Sequence, residues 1–133
     1  VSMNFESSTK NYPINQETQL SLYRILQEQL RNIITHAKCT SIEVGVFIKN
    51  DKLEMRIGDN GIGFNMNQVK DGIGLSNMKR RTEIISGEFH INSSRGKGCE
   101  ILVTIPITKT LYEVISRKLN NIGLKTSNAK MSL

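Results

Sequence analysis

The 133-residue sequence has no tryptophan, few other aromatic residues, two prolines and two cysteines. The cysteines, Cys39 and Cys99, form no CxxC pair, and with His36 and His90 they give no spacing typical of a zinc site. Unbridged thiols are typical of a reducing compartment. No apolar run reaches the ~18 residues that a membrane-spanning helix needs, and the polar N-terminus lacks the apolar core of a signal peptide. We therefore expect a cytoplasmic domain without direct membrane contact.

The positive charge of the chain is unevenly distributed. Of the net charge of +6, residues 108–133 contribute +4, from five basic residues and the single acid Glu113. The rest of the chain is nearly balanced. No basic stripe is interleaved with aromatic residues, which is the pattern that a nucleic-acid surface needs. We therefore expect no nucleic-acid partner.

The first half of the chain predicts a helix followed by a β-hairpin. Between residues 15 and 38, apolar residues recur at intervals of three and four, which is the period of an amphipathic helix. Residues 41–49 and 53–57 alternate between apolar and polar on either side of a turn at Asn50-Asp51, which predicts two antiparallel strands. Residues 2–6 are compatible with an edge strand. The predicted core stripe of the helix consists of Leu22, Leu26, Leu30, Ile33 and Ala37.

The second half predicts a loop, a helix and two further strands. The loop covers residues 65–73, the helix begins at Leu75 and is closed by Gly87, and the last strand ends at Pro106. The order (β)–α–β–β–loop–α–β–β predicts an α/β two-layer sandwich, in which helices cover one face of a mixed, mostly antiparallel sheet. We divide the chain into an N-terminal edge segment or linker (1–14), one domain (15–107), and a basic tail (108–133) with a helix at 111–119.

The stretch DNGIGF, residues 59–64, follows directly on the second hairpin strand. It lacks the alternating oxygen ligands of a calcium loop. A structural turn is one interpretation, because glycine readily adopts a positive φ. Another is that the carboxylate of Asp59 accepts a hydrogen bond from an exocyclic amine such as that of adenine. Gly61 and Gly63 would then let the planar base approach the backbone. Alone, the stretch leaves both interpretations open.

The stretch DGIGLSNMKRR, beginning at Asp71, places Gly72 and Gly74 before a predicted helix. Free backbone N–H groups and the helix dipole make such a helix start a ready site for an anion. The stretch is neither a P-loop nor a dinucleotide fingerprint, because it has no GxxxxGK[ST] and position 77 is Asn rather than a third glycine. A flexible loop before a helix cap is the alternative interpretation.

Glu28, Asn32 and His36 lie four residues apart beside the apolar stripe of the first helix. The side-chain oxygen of Asn32 could complete the shell of a Mg²⁺ that is held mainly by water and phosphates. Glu28, one turn earlier, could orient or deprotonate a nucleophile. A solvated polar face of the helix explains the same residues without any ligand.

Together, these features resemble the GHKL ATPases, the superfamily that contains DNA gyrase, Hsp90, MutL and the sensor histidine kinases. The order is E-x-x-x-N on a helix, D-x-G-x-G after a hairpin, G-x-G-L at a helix start and G-K-G before the last strand. The stretch LYRILQEQLRNIITHAKCTSIEV is most similar to two-component sensor kinases of the nitrate-sensing and membrane-fluidity-sensing group. The resemblance covers residues 17–107 and implies the Bergerat fold with ATP and Mg²⁺ as ligands.

The resemblance also implies a role for each matching residue. Asn32 would bind Mg²⁺ and the phosphates, Glu28 stands where the family's ATPases keep a catalytic acid, and Asp59 would bind the adenine amine. His36 would lie near the phosphates or the ribose. The remaining nucleotide-binding positions would be Gly61, Ile62 and Gly63 against the base, Gly72, Ile73, Gly74, Leu75 and Ser76 at the end of a short ATP lid (64–73), and Cys99 at the adenine floor.

Three positions depart from the pattern of the resembled kinases. Thr35 stands where many relatives carry Lys, Arg31 where Asn is frequent, and Cys99 where Thr commonly supports a water at the adenine. A thiol is a poor hydrogen-bonding group. These departures concern phosphate chemistry and adenine affinity rather than the fold.

Neither of the two histidines lies where a phosphoaccepting histidine of such a kinase would be. His36 belongs to the first helix and His90 to a strand. The resemblance therefore implies a catalytic domain that phosphorylates a histidine on a separate dimerisation domain of the same kinase, with a response regulator downstream. The parent kinase could be anchored in a membrane. The alternatives are an anti-sigma-type serine kinase of the same fold and a module that binds ATP without transferring phosphate.

Overall fold

The computed structural model describes residues 1–8, 14–68, 74–107 and 119–124. Its elements are the strand β1 (Ser2–Ser8), the helix α1 (Gln16–Asn32) with a π-helical last turn (Ile33–Ala37), the hairpin β2 (Ser41–Lys49) and β3 (Lys52–Asp59), a 3₁₀ turn (Met66–Gln68), the helix α2 (Leu75–Ile84), and the strands β4 (Glu88–Ser93) and β5 (Cys99–Pro106). Residues 111–118 of the helix predicted at 111–119, residues 69–73 of the lid and most of the tail lie outside the described residues.

The five strands form one mixed sheet in the order β1-β2-β3-β5-β4. β1 pairs with β2 in parallel, whereas the other three pairings are antiparallel. The predicted edge strand and the predicted mixed, mostly antiparallel sheet are both confirmed. The edge strand extends to Ser8, two residues beyond the prediction.

The core lies between the helices and the inner face of the sheet. Side chains that are paired across neighbouring strands share a face, so the register places Ile42, Asp59, Cys99 and Ser93 in one row at one end of the inner face. The next rows toward the opposite end are apolar. They contain the buried residues Val44, Leu53, Met55, Ile57, Ile101, Val103 and Ile105.

Helix α1 begins where the sequence predicts. The Asn15 side chain accepts a hydrogen bond from the Thr18 backbone N–H at 2.8 Å, which caps the first turn. The predicted core stripe is shifted, however. Ile25 is fully buried and Gln29 is 3% exposed, whereas Leu26 and Leu30 are only partly buried.

The end of this helix differs from the expected regular α-helix. Residues from Ile33 to Ala37 form a π-helical turn, and Lys38 then ends the helix in the left-handed conformation with φ of 48°. His36 lies within this turn and is exposed, whereas Asn32 at the end of α1 is partly buried.

Helix α2 begins at Leu75, and the preceding Gly74, with a φ of 67°, is its N-cap. Ser86, with a positive φ of 59°, is the left-handed residue after α2. Gly87 donates its N–H to the Thr82 carbonyl at 2.9 Å. A Cβ on Gly87 would lie 2.9 Å from Thr82 Cγ2 and 3.0 Å from the Thr104 carbonyl oxygen. The glycine therefore allows α2 to turn closely onto the sheet.

Candidate nucleotide-binding site

The predicted adenine-binding residues meet at one end of the inner sheet face. Asp59 ends β3 and Cys99 begins β5, and the two are direct partners in the strand register. Asp59 is partly buried, and its Oδ1 accepts the Gly61 N–H at 2.8 Å. Its second oxygen, Oδ2, accepts no hydrogen bond from the described residues. One oxygen of the carboxylate is thus fixed by the backbone and the other is available to a ligand.

The glycines of DNGIGF lie where the chain passes close to other backbone. A Cβ on Gly61 would overlap the Ala37 carbonyl oxygen and lie 2.9 Å from Asp59 Oδ1. Gly63 has a φ of 59°, and a Cβ there would overlap the carbonyl oxygens of Ser94 and Gly98. Neither position has room for a side chain, and Gly63 also has the positive φ on which the structural interpretation of this stretch was based.

Ile62 lies between the two glycines and connects three segments of the chain. Its N–H donates to the Ala37 carbonyl at 2.8 Å, and its carbonyl accepts the Gly96 N–H at 2.6 Å. The Ile62 side chain itself is 50% exposed. The backbone of this residue ties the end of the first helix and the β4–β5 turn to the wall of the site.

Sequence reasoning did not single out two polar residues that build this end of the sheet. The Asn60 side chain accepts the N–H groups of Thr40 and Ser41, both at 2.9 Å, and donates to the Thr40 hydroxyl at 2.8 Å. The buried Ser93 hydroxyl donates to the Gly98 carbonyl at 2.9 Å and accepts the Phe64 N–H at 3.0 Å. Asn60 stands inside the DNGIGF motif, so an asparagine that follows a strand end was an available signal.

Cys99 is a buried thiol at the floor of the site. Its burial, together with the negative charge of Asp59, raises its pKa from 9.0 to about 11, although its hydrogen bonds with Ser93 and Gln29 act in the opposite direction. The thiol is therefore protonated at neutral pH. A neutral thiol can lie beside the Asp59 carboxylate without adding a second negative charge there.

The polar residues of α1 face the site to different degrees. Glu28 and Asn32 are partly buried, whereas His36 is exposed. Gln29, which the sequence analysis missed, connects the helix to the sheet. Its Nε2 lies 3.8 Å from Cys99 Sγ, and its Oε1 lies 3.4 Å from Asn32 Nδ2. The spacing of Gln29 from the buried Ile25 and Ile33 is helical, which could have identified it as an inward-facing residue.

The start of α2 lies against α1. A Cβ on Gly74 would overlap the carboxylate of Glu28, so this glycine allows Glu28 to approach the helix N-terminus closely. Glu28 also lies 3.9 Å from Arg31, measured from Oε2 to Nη1. Leu75 is partly buried and Ser76 is exposed. The predicted site residues Gly72 and Ile73 lie outside the described residues.

A cleft of about 600 Å³ opens at the same end of the sheet, and Asp59, Ser93 and Cys99 of the candidate site contribute to its lining. Most of its walls belong to the outer face, because Glu43, Asn92 and Glu100 alternate with the inward-facing residues of their strands. Glu43 places a negative charge at this cleft, whereas Glu100 is paired with Arg56 at 3.1 Å and Lys97 adds a positive charge to the lining.

Two further features of the described part of the chain concern metal ligands and membrane spans. Within it, no three His, Cys, Asp or Glu side chains are grouped as they would be around a metal ion. A metal in this region would therefore need ligands from another source, such as phosphates and water, besides an amide such as Asn32. None of the helices in the described ranges is both long and apolar enough to span a membrane.

The chain is similar to known sensor kinases in sequence. It is 38% identical over 106 residues to the sensor histidine kinase LiaS of Bacillus subtilis, which covers 79% of this chain and 29% of LiaS. It is 34% identical over 110 residues to the sensor protein VraS of Staphylococcus aureus, which covers 82% of this chain and 32% of VraS. The chain thus spans about a third of the length of these curated relatives.

Solved structures of histidine kinases share the fold. The catalytic domain of the histidine kinase ThkA superposes with a TM-score of 0.63 at 16% identity, covering 78% of this chain and 76% of that domain. The histidine kinase domain of a blue-light-activated kinase from Erythrobacter litoralis gives a TM-score of 0.65 at 18% identity, covering 79% and 54% of the two chains.

The model of the histidine kinase-, DNA gyrase B- and HSP90-like ATPases matches residues 17–109. This range includes every element of the structure after β1 and all of the candidate site residues. The chain therefore belongs to the family of histidine kinase-, DNA gyrase B- and HSP90-like ATPases.

Proposed function

We propose that the chain is the ATP-binding catalytic domain of a sensor histidine kinase, which binds Mg-ATP and donates the γ-phosphoryl group to a histidine on a separate dimerisation domain. The observation that carries the proposal is the Asp59 carboxylate. It stands partly buried at a strand end, with Oδ1 held by the Gly61 N–H and Oδ2 unoccupied by the described residues. A carboxylate in this setting selects a ligand that carries a hydrogen-bond donor, and the adenine amine is such a donor.

The adenine end of the site is rigid. Gly61 and Gly63 are packed against backbone carbonyls, so the segment cannot shift toward or away from the base without losing these contacts. Cys99 and Ser93 lie in the same row of the sheet as Asp59. These residues would hold the base, orient it by a single hydrogen bond to Asp59 and exclude water from its lower face.

The phosphate end lies between α1 and the start of α2. Asn32 would contribute an amide oxygen to Mg²⁺, and the N-terminus of α2 after Gly74 would supply backbone N–H groups to a phosphate. When bound, ATP supplies the phosphoryl group and Mg²⁺ neutralises part of its charge. Glu28 lies against Gly74 at this position. There its carboxylate is placed to orient the incoming histidine, since positioning and electrostatics dominate phosphoryl transfer.

The partners and location follow from the same proposal. The acceptor would be the histidine-bearing dimerisation domain of the same kinase, and a response regulator would receive the phosphate from it. The domain would act in the cytoplasm, as part of a parent kinase that could be anchored in a membrane. Nothing in the site calls for a nucleic acid.

A thermal-shift experiment with Asp59→Asn tests the site. At a concentration of Mg-ATP about 100 times Kd, the wild type should gain roughly 2.7 kcal/mol of stability by mass action. Most of this gain should disappear in Asp59→Asn, because an amide can present an N–H donor instead of an acceptor to the adenine amine. The matched control is Asp51→Asn, which makes the same change in the β2–β3 turn at the far end of the sheet. Absence of any shift of the wild type at millimolar ATP would refute the proposal.

A phosphotransfer experiment separates the proposed kinase from its alternatives. The chain is mixed with radiolabelled ATP and either a histidine-bearing dimerisation domain or a serine-bearing anti-sigma antagonist. An acid-labile, base-stable label on the dimerisation domain would identify a histidine kinase. An acid-stable label on the antagonist would identify a serine kinase. ATP binding without transfer to either would identify a module that only senses ATP.

A further inference from the structure

We propose that Gln29 is a positioning residue of this site, whose side-chain amide orients Asn32 so that the amide oxygen of Asn32 is presented to Mg²⁺. The inference rests on the proposed function, in which Asn32 is the metal ligand. It concerns a residue that touches neither the nucleotide nor the metal and acts through its neighbour.

The burial of Gln29 is the first observation. Its exposure of 3% places a polar amide among the core residues Leu22, Ile25 and Ile33 of the same helix. An apolar side chain of similar length would satisfy this position on packing grounds, whereas a buried amide is unfavourable unless it is hydrogen-bonded. The amide therefore needs partners, and its partners are two residues of the candidate site.

The direction of the two contacts is the second observation. Asn32 Nδ2 donates to Gln29 Oε1 at 3.4 Å, and Gln29 Nε2 donates to Cys99 Sγ at 3.8 Å. The nitrogen and oxygen of an asparagine amide point to opposite sides, so the contact to Gln29 turns Asn32 Oδ1 away from Gln29. If the side-chain amide of Asn32 were rotated by about 180°, its oxygen would face Gln29 and its NH₂ group would face the metal, which an N–H group cannot bind.

Cys99 sets the orientation of Gln29 in turn. Asp59 is the direct strand partner of Cys99. The thiol also hydrogen-bonds Ser93, whose own hydrogen goes to the Gly98 carbonyl, and a thiol hydrogen turned toward the Ser93 hydroxyl leaves the sulfur to accept the Gln29 N–H. The chain Cys99–Gln29–Asn32 then links the adenine end of the site to its metal end through the core, and each amide has one favoured direction.

The test measures how much Mg²⁺ strengthens nucleotide binding. The affinity of the chain for ATP is measured by calorimetry in excess Mg²⁺ and in EDTA, and the ratio of the two is the Mg²⁺ enhancement. Gln29→Met, which keeps the length of the side chain and removes the amide, should lower the enhancement by about tenfold, the size of effect seen when an outer-shell partner of a metal ligand is lost. Affinity in EDTA should change far less. Gln27→Met, an exposed position two residues away, is the matched control and should keep the wild-type enhancement.

Two further variants keep the inference falsifiable. Gln29→Ala removes the same amide with a good helix former and replaces the methionine variant if that one does not fold. In an Asn32→Asp background, both terminal atoms are oxygens and need no orientation. There Gln29→Met should change the enhancement by less than about twofold. The difference between this change and the roughly tenfold loss in the wild-type background would measure a strong coupling between Gln29 and Asn32.

The outcomes distinguish this inference from the function on which it rests. A wild-type chain that binds no Mg-ATP would overturn both. A wild type with a clear Mg²⁺ enhancement that Gln29→Met and Gln29→Ala leave unchanged would overturn the role of Gln29 alone. Equal losses of affinity in Mg²⁺ and in EDTA would also overturn it, because they would indicate a packing role instead.

Discussion

At the scale of single residues, the site depends on backbone positions that have no room for a side chain. Gly61 is the clearest of them, because a Cβ there would overlap the Ala37 carbonyl oxygen and crowd Asp59 Oδ1 at 2.9 Å. Its N–H also holds Asp59 in place. We expect Gly61→Ala to destabilise the fold by about 1–3 kcal/mol through overpacking and to abolish stabilisation by Mg-ATP, since Asp59 must move.

The control for this prediction is Gly58, which lies on the strand β3 just before the loop that contains Gly61. A Cβ on Gly58 would meet only the Cys99 carbonyl oxygen, at an ordinary 3.9 Å. Gly58→Ala should therefore be neutral or stabilise by roughly 0.4–1 kcal/mol, because alanine reduces the freedom of the unfolded chain. Urea unfolding with and without Mg-ATP measures both effects. A Gly61→Ala variant as stable and as responsive to nucleotide as the wild type would show that this close approach is not needed.

Cys99 makes the stability of the fold depend on pH in the alkaline range. Its pKa is raised to about 11 by burial and by the charge of Asp59, so the unfolded chain loses the thiol proton before the folded chain does. The resulting stabilisation is complete below the ordinary thiol pKa of 9.0 and is lost as the pH rises toward 11. We expect the stability of the wild type, relative to Cys99→Val, to fall by up to about 2 kcal/mol over that range.

Urea unfolding at a series of pH values checks this expectation. Cys39→Val is the control, because it removes the other thiol and leaves Cys99 in place, so its stability should run parallel to that of the wild type. A difference between wild type and Cys99→Val that stays constant from neutral pH to pH 11 would contradict a raised pKa in the folded chain.

At the scale of secondary-structure elements, the sequence predicts most of the fold because its periods are clear. The alternation in β2, β3 and β5 and the start of the helical pattern at residue 15 require only local rules, and the structure agrees with them. The burial of Gln29 was not predicted, because a polar residue does not contribute to an apolar stripe even when its angle on the helix places it in the core. One of its partners, Cys99, lies 70 residues away in the sequence, and only the packing of α1 on the sheet brings the two together.

The last turn of the first helix shows a different limit. Spacing arguments assume 3.6 residues in each turn, and nothing in ITHA indicates the wider π turn that the structure contains. His36 lies in that turn and is exposed, so its place beside Glu28 and Asn32 stays a prediction. The left-handed residue after α2 is Ser86 and not Gly87, because tertiary contact with the sheet, rather than a local preference, determines where the glycine is needed.

At the scale of the whole molecule, the net charge and the nucleotide site are separate properties of the chain. Residues 108–133 carry four of the six net positive charges, whereas the candidate site residues all fall between Glu28 and Cys99. Electrostatic attraction to DNA depends on the basic charges that neutralise phosphates and weakens steeply with salt. A chain of residues 1–107 should therefore lose any weak binding to DNA that the full chain shows at about 20 mM salt, and the full chain itself should release DNA at about 150 mM salt.

Stabilisation by Mg-ATP should respond in the opposite way. Every described contact of the site, from the Asn32–Gln29 pair to the Asp59–Gly61 hydrogen bond, is made within residues 1–107, and Ile107 itself still bonds the Asp51 carbonyl at the end of the hairpin. The thermal shift with nucleotide should therefore be the same in both chains, within the error of the measurement. If the shorter chain kept its affinity for DNA at moderate salt, a nucleic-acid surface would have to lie on the sheet or the helices, and the expectation drawn from the charge distribution would be wrong. If it lost its response to Mg-ATP while remaining folded, residues of the tail would belong to the nucleotide site.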